Sequence, residues 1–79
     1  MISPIKKIRE EKGLTQTEMA MLLGVSQIAI SQWEIGAVVI PKKRIKQITE
    51  TFRVNPVDLE DELYKFYEAR RETLKKKIR

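Results

Sequence analysis

The chain has 79 residues, the size of one small domain, and 42% of them are apolar, which is enough for a folded core. It has no cysteine and no histidine, which excludes a disulfide framework, a thiolate metal site and histidine-dependent catalysis. The formal net charge of +5 comes entirely from residues 65–79, because residues 1–64 contain nine basic and nine acidic side chains.

Capping signals predict two short helices at the start of the chain. Ser3 is a good N-cap, Pro4 suits the first helical position, and Gly13 ends this first helix. Thr15 begins the second helix, and Glu18 three residues later completes a predicted capping box.

A tight turn and a third helix follow. Gly24 can adopt the left-handed conformation that ends a helix sharply, Ser26 is a good N-cap, and the helix is predicted from residue 27 to about residue 35, before Gly36. Gln27 and Gln32 place amide side chains on this helix, and such an amide can bond an adenine edge at two positions. We interpret the segment as a DNA-reading helix.

Two more helices complete an all-α chain. The β-branched run 37–40 is predicted to be a short extended loop, and Pro41 is predicted to open a fourth helix, whose apolar positions recur every three or four residues. Asn55 and Pro56 repeat the cap-and-proline signal and begin a long fifth helix. The fourth helix carries its apolar face at Ile45, Ile48 and Phe52, and the fifth at Leu59, Leu63, Phe66, Tyr67, Leu74 and Ile78.

The end of the fifth helix extends beyond the compact part of the chain. We therefore divide the sequence into a domain at 1–64 and a basic extension of the fifth helix at 65–79. The extension is predicted to form a symmetric dimer contact, and the alternative is a solvated basic tail. The candidate dimer residues are Val38, Val39, Leu63, Phe66, Tyr67 and Leu74.

About two thirds of the chain, from residue 5 to about residue 59, carries a linked motif. The motif is Ile5-x-x-Ile8-Arg9-x-x-x-Gly13-Leu14-Thr15-Gln16-x-Glu18-Met19-Ala20-x-x-Leu23-Gly24-Val25-Ser26-x-x-x-Ile30-Ser31-x-Trp33-Glu34-x-Gly36. It resembles the phage repressor and Cro-type helix-turn-helix family, of the xenobiotic-response-element type. The resemblance implies a compact five-helix bundle of the lambda-repressor-like DNA-binding type, here with an extended C-terminal helix. It also implies that the third helix enters the major groove of double-stranded DNA.

The resemblance implies roles for individual side chains. Gln27, Ile28 and Gln32 match base-contacting positions, and Ile28 can pack only on a thymine methyl group or remain a stray surface residue. Arg9 and Glu34 match a pair that joins the first helix to the end of the third. The residues expected to contact the DNA backbone are Thr15, Gln16, Thr17, Ser26, Ser31, Lys42, Lys43 and Arg44. The alternatives are a polar first-turn residue at Gln16 and a solvated basic cluster at 42–44.

The chain departs from the family pattern after the third helix. Ile35 and the run 37–40 are apolar, where the family usually has polar or basic phosphate contacts. The basic cluster at 42–44 is the expected replacement. Met21 and Leu22 are also more apolar than the pattern requires, and their joint exposure would indicate a contact surface.

These observations predict a small dimeric transcriptional regulator, most simply a repressor that reads a palindromic operator. Alternatives on the same fold are a restriction–modification controller, an antitoxin that represses its own operon, or a protein-interaction module that binds a partner through residues 37–40 or the fifth helix. An enzyme is disfavoured, and no catalytic residue is assigned, because the carboxylate clusters at 10–11 and 60–62 lie on polar helix faces without an evident cleft.

Several partners and locations are not expected. No stretch approaches the roughly 18 apolar residues of a membrane span, and the first residues lack an apolar signal-peptide core. The sequence therefore predicts a cytoplasmic, nucleoid-associated protein without a membrane partner. We expect no metal, cofactor or small-molecule ligand.

Overall fold

The structure is a computed structural model that describes residues 2–78. Within that range the chain forms helices and no strand. The helices are α1 (Pro4–Glu11), α2 (Gln16–Leu23), α3 (Gln27–Ile35), α4 (Lys42–Phe52) and α5 (Pro56–Lys77). The predicted all-α, five-helix architecture with a long last helix is confirmed.

The predicted capping residues fix the helix starts. The N–H of Glu18 donates to Thr15 Oγ1 at 3.1 Å while the Thr15 N–H donates to Glu18 Oε1 at 2.9 Å, so the capping box is confirmed. The side chains of Ser3, Ser26 and Asn55 likewise accept hydrogen bonds at the starts of α1, α3 and α5. Helix α4 begins one residue later than predicted, because Pro41 is its N-cap and not its first residue.

One apolar core joins all five helices. Ile30 and Trp33 are buried, which confirms that the inner face of α3 belongs to the core. Ala20 is only 3% exposed and has almost no side chain, so α2 and α3 can pack closely. The other buried apolar residues are Ile5, Ile8, Met19, Leu23, Ile40, Ile48, Phe52, Leu59, Leu63 and Phe66.

The turn between α2 and α3 has the geometry that its glycine predicts. Gly24 has φ +68°, in the left-handed region that glycine adopts without steric cost. The next N–H, of Val25, donates to the carbonyl of Ala20 at 3.0 Å and so closes the end of α2. Helix α3 therefore leaves the turn in a defined direction.

Helix α5 packs further along the domain than its sequence indicates. Leu63 and Phe66 are buried, at 2% and 7% exposure, which leaves their side chains little surface for the predicted dimer contact. Their side chains are already used within one chain. Tyr67 is half-buried, and its hydroxyl accepts a hydrogen bond from the N–H of Ile40 at 3.2 Å, which ties loop 37–40 to α5.

None of the helices within residues 2–78 combines the length and apolar character that crossing a membrane requires.

Candidate nucleic-acid interface

A connected set of polar side chains joins α1, α2 and α3. Arg9 donates from Nε to Glu34 Oε2 at 2.7 Å and from Nη2 to Oε1 at 3.2 Å. Gln16 Nε2 donates to the same Oε1 at 3.2 Å, and Gln27 Nε2 donates to Gln16 Oε1 at 2.6 Å. We call these four residues the polar relay. It leads from an ion pair inside the domain to the first residue of α3.

The inner end of the polar relay is well shielded from solvent. The side chains of Arg9 and Glu34 are 14% and 5% exposed, and Arg9 Nη1 also donates to the carbonyl of Leu14 at 2.8 Å. The hydrogen bond to Glu34 raises the pKa of Arg9 above its ordinary value, although burial acts in the opposite direction. The pair fixes α1 against the last turn of α3. The sequence analysis inferred this pair only from the resemblance to the family.

The outer end of the polar relay keeps bonding capacity for a ligand. Gln27 is exposed and uses one of its two amide hydrogens on Gln16. Its carbonyl oxygen and its second N–H are the two groups that a bidentate contact to adenine requires. The bond to Gln16 is therefore compatible with base reading and restricts the orientation of the Gln27 amide.

The outer face of α3 is exposed along its length. Ile28 is 65% exposed, Ile35 is 57% exposed, and Gln32 lies on the same side of the helix between them. Ser31, a predicted backbone contact, lies at the edge of this face and is half-buried. Gln27, Ile28 and Gln32, the residues predicted to meet base edges, thus form an open surface.

The N-termini of α2 and α3 present hydroxyl groups beside this surface. The hydroxyl oxygens of Thr15 and Ser26 each accept a backbone N–H at 3.1 Å, and each hydroxyl keeps its own proton to donate. Thr17 is exposed in the first turn of α2, next to the half-buried Gln16. Helix N-termini also attract anions, so this edge suits a phosphate.

Arg44 has a structural task that the sequence did not reveal. Its Nη1 donates to the carbonyl of Leu23 at 3.0 Å and to Gln47 Oε1 at 2.8 Å, and Gln47 Nε2 donates to the same carbonyl at 2.9 Å. The two side chains together cap the C-terminus of α2. Lys42 and Lys43 are both exposed, and Lys43, which does not line the groove described next, is the better candidate for a phosphate contact. In the sequence, the three-residue spacing of Arg44 and Gln47 was the only indication that these two side chains could act together.

Three of the predicted dimer residues lie together. Val39 and Tyr67 line an open groove of about 320 Å³ between loop 37–40, α4 and α5. Val38 and Leu74 are partly exposed but do not line it. The buried Leu63, also a predicted dimer residue, lines the groove as well. The sequence analysis did not assign the remaining lining residues to a dimer contact: Ile40, Lys42, Ile45, Glu60 and Tyr64.

The exposed apolar pair predicted on α2 is present, since Met21 is 77% and Leu22 is 56% exposed.

Within residues 2–78, no group of three or more acidic side chains is placed to hold a metal ion.

The short helix, left-handed turn and second helix with an open outer face define a helix-turn-helix domain, a class of fold that binds DNA. A family model described as "Helix-turn-helix" matches residues 5–59, and the chain belongs to this family. The predicted family and the lambda-repressor-like fold are thereby confirmed.

The chain is also similar to a named protein. It is 34% identical over 76 residues to the antitoxin PezA of Streptococcus pneumoniae, an alignment that covers 94% of this chain and 48% of that protein. The chain thus spans about half the length of this curated relative. No solved structure gives a significant match.

Proposed function

We propose that the chain is a transcriptional repressor that binds a palindromic operator as a dimer, with α3 in the major groove. Bases are read by Gln27, Ile28 and Gln32, and the N-terminal edges of α2 and α3 bind the flanking phosphates. Such a protein acts on chromosomal or phage DNA in the cytoplasm.

The polar relay is the observation that carries this proposal. A buried ion pair orients Gln16, Gln16 accepts from Gln27, and the Gln27 amide remains exposed with both of its base-pairing groups available. The network ends at an exposed residue on the outer face of α3. An amide that is fixed before binding loses less side-chain entropy when it meets a base.

A dimer follows from the size of the reading unit. One helix-turn-helix contacts a few base pairs, and two copies related by a two-fold axis read half-sites about 34–36 Å apart. We place the dimer contact at the groove beside Val39 and Tyr67. Lys42 and Glu60 both line this groove and carry opposite charges, so in a two-fold contact each lysine can face the glutamate of the other copy.

Selection of bound duplexes from a random pool tests the proposal. We expect the recovered sequences to share an inverted repeat, which reports specificity, symmetry and stoichiometry together. Bound sequences without a common motif would contradict base reading. A single, unrepeated motif would contradict the dimer.

Two substitutions separate base reading from phosphate binding. Gln27→Ala is expected to relax base preference at one position in each half-site, because one good bidentate contact discriminates by about 1–3 kcal/mol. Lys43→Ala, at an exposed position outside the groove, is expected to weaken binding to all sequences alike. Identical preference profiles for the wild type and Gln27→Ala would reject the role of that amide.

An antitoxin is the second candidate function. The relative with 34% identity is named an antitoxin, and Val38 and Val39 expose apolar side chains beside the DNA-binding face. An apolar contact with a toxin would be insensitive to salt, whereas DNA binding weakens steeply as salt rises. A stable complex with a co-expressed protein at high salt, together with operator binding, would favour the antitoxin.

A further inference from the structure

The second half of α5 passes beside the C-terminal end of α3. A Cβ atom at Gly36 would lie 3.0 Å from Cε2 of Phe66 and 3.6 Å from Cγ of Arg70, so both side chains lie against the residue that ends α3. Arg70 and Thr73 also share a notch of about 240 Å³ with Ile35, the last exposed residue on the outer face of α3. The proposed DNA-reading face therefore ends at α5.

Helical spacing separates Arg70 and Lys77 of α5 from the ion-paired cations of the same helix. Positions 70 and 77 continue the stripe that is buried upstream at residues 59, 63 and 66, whereas the ion-paired cations lie on other faces of the helix. These pairs are Lys65–Asp61 at 3.0 Å, Arg71–Glu68 at 2.9 Å and Lys75–Glu72 at 3.4 Å. Within residues 2–78, Arg70, Lys76 and Lys77 form no ion pair, and Lys76 lies off this stripe. Glu34 lines the same notch as Arg70 but is already paired with Arg9. The domain-facing side of the extension thus carries two cations that form no ion pair among the described residues.

We infer that Arg70 and Lys77 form a second backbone-contact site, which binds phosphates of the same duplex beyond the C-terminal end of α3. This inference rests on the proposed DNA binding. The two residues are seven positions apart, about 10 Å along the helix axis, and can therefore contact different phosphates. The planar guanidinium group of Arg70 can donate two hydrogen bonds to one phosphate, and the ammonium group of Lys77 binds a phosphate as a point charge.

The apolar segment after α3 explains why such a site belongs on α5. Ile35 and loop 37–40 offer no cation at the end of α3, and Arg44 is turned back to cap α2. The nearest cation to Ile35 and Gly36 on α5 is Arg70, whose stem is packed against Gly36. The basic excess of residues 65–79 then has a specific ligand, the DNA backbone, and is not merely solvated.

The salt dependence of DNA binding tests the inference. The probe is a fluorescein-labelled duplex of mixed sequence and about 30 base pairs, because phosphate contacts do not depend on base sequence. R70Q/K77Q is compared with the control R71Q/K75Q, which removes the same charge from the face where these cations are ion-paired. All experiments use the full chain.

The expected result follows from counterion release. Each lost phosphate contact reduces the magnitude of the negative slope of log K against log[salt] by about 0.9. The slope of R70Q/K77Q should therefore be smaller in magnitude than that of the wild type by about 1.8 per bound chain. Between about 50 and 200 mM salt, the affinity of this variant should fall about 12-fold less per chain than that of the wild type. The control should keep a slope close to that of the wild type.

Two outcomes would overturn the inference. One is an unchanged slope per chain in R70Q/K77Q, and the other is an equal change of slope in both double variants. If the slope is unchanged and sedimentation shows that R70Q/K77Q no longer forms a dimer, this stripe is a protein contact. If R70Q/K77Q melts well below the wild type, the single variant K77Q replaces it in the test, because Lys77 is exposed. The salt-dependence slope of K77Q should be smaller in magnitude than that of the wild type by about 0.9 per chain.

The test separates this inference from the proposed function. A mixed-sequence duplex needs no base reading, so a failed operator selection with an intact effect at Arg70 and Lys77 would overturn the repressor alone. A successful, Gln27-dependent selection with an unchanged slope in R70Q/K77Q would overturn the second site alone. Absence of wild-type binding at low salt would overturn both.

Discussion

Replacement of Arg9 by alanine is the most informative perturbation of the fold, because it leaves a buried charge without its partner. Glu34 is 5% exposed at its side chain and accepts from Arg9 at 2.7 and 3.2 Å. In Arg9→Ala, the Gln16 amide, at 3.2 Å, is the one partner among residues 2–78 that remains to bond this carboxylate. The variant also loses the hydrogen bond to the Leu14 carbonyl.

The expected loss in the free energy of unfolding of Arg9→Ala is large for a domain of this size. Breaking a buried ion pair from one side costs about 3–5 kcal/mol, and the remaining Gln16 bond places Arg9→Ala near the lower value, about 3 kcal/mol. A domain of this size has a total stability of about 4–12 kcal/mol. At about 4–8 °C per kcal/mol, the melting temperature should fall by roughly 12–24 °C.

Thermal and urea unfolding monitored by circular dichroism measure the effect. Lys7→Ala is the matched control, since Lys7 is exposed on the same helix and should change stability by less than about 0.5 kcal/mol. The double variant Arg9→Ala/Glu34→Ala should lose clearly less than the sum of the single variants, because it leaves no unpaired charge. An unchanged melting temperature in Arg9→Ala, or strict additivity in the double variant, would refute this reasoning.

Two further predictions concern local geometry and use matched pairs. Gly36→Ala should cost about 1–3 kcal/mol more than Gly24→Ala, because both positions have positive φ but only the new methyl group at 36 meets the Phe66 ring, at 3.0 Å. Equal melting temperatures of the two variants would contradict this contact. Thr15→Ala should cost about 1 kcal/mol through loss of the capping box, whereas the exposed Thr17→Ala should be nearly neutral in urea unfolding.

Local signals in the sequence were sufficient to predict the helices. Ser3, Thr15, Ser26 and Asn55 are all N-caps whose side chains accept the predicted type of hydrogen bond. Such caps depend on residues three positions apart, so no knowledge of the tertiary fold is needed. The inner face of α3 was predictable for the same reason, since helical spacing alone separates core from surface.

Contacts between distant segments were not predictable in the same way. The bonds from Gln16 to Glu34 and from Arg44 to Leu23 join residues 18 and 21 positions apart, and no periodicity reports them. The burial of Phe66 was also missed, because an apolar stripe on a long helix does not show where the partner surface ends. The packed part of α5 continues past residue 64 to at least Tyr67, which bonds loop 37–40.

Helix α3 is held at both ends by segments that are remote from it in sequence. Its N-terminal residue is bonded through the polar relay to α1, and Gly36 at its C-terminal end packs against Phe66 and Arg70 of α5. The orientation of α3 therefore depends on α5 contacts that lie beyond residue 59, where the family match ends. A chain cut at that residue would lose the Phe66 contact and the Tyr67 bond. Since the proposed base reading requires an accurately oriented helix, α5 would contribute to it even where it touches no base.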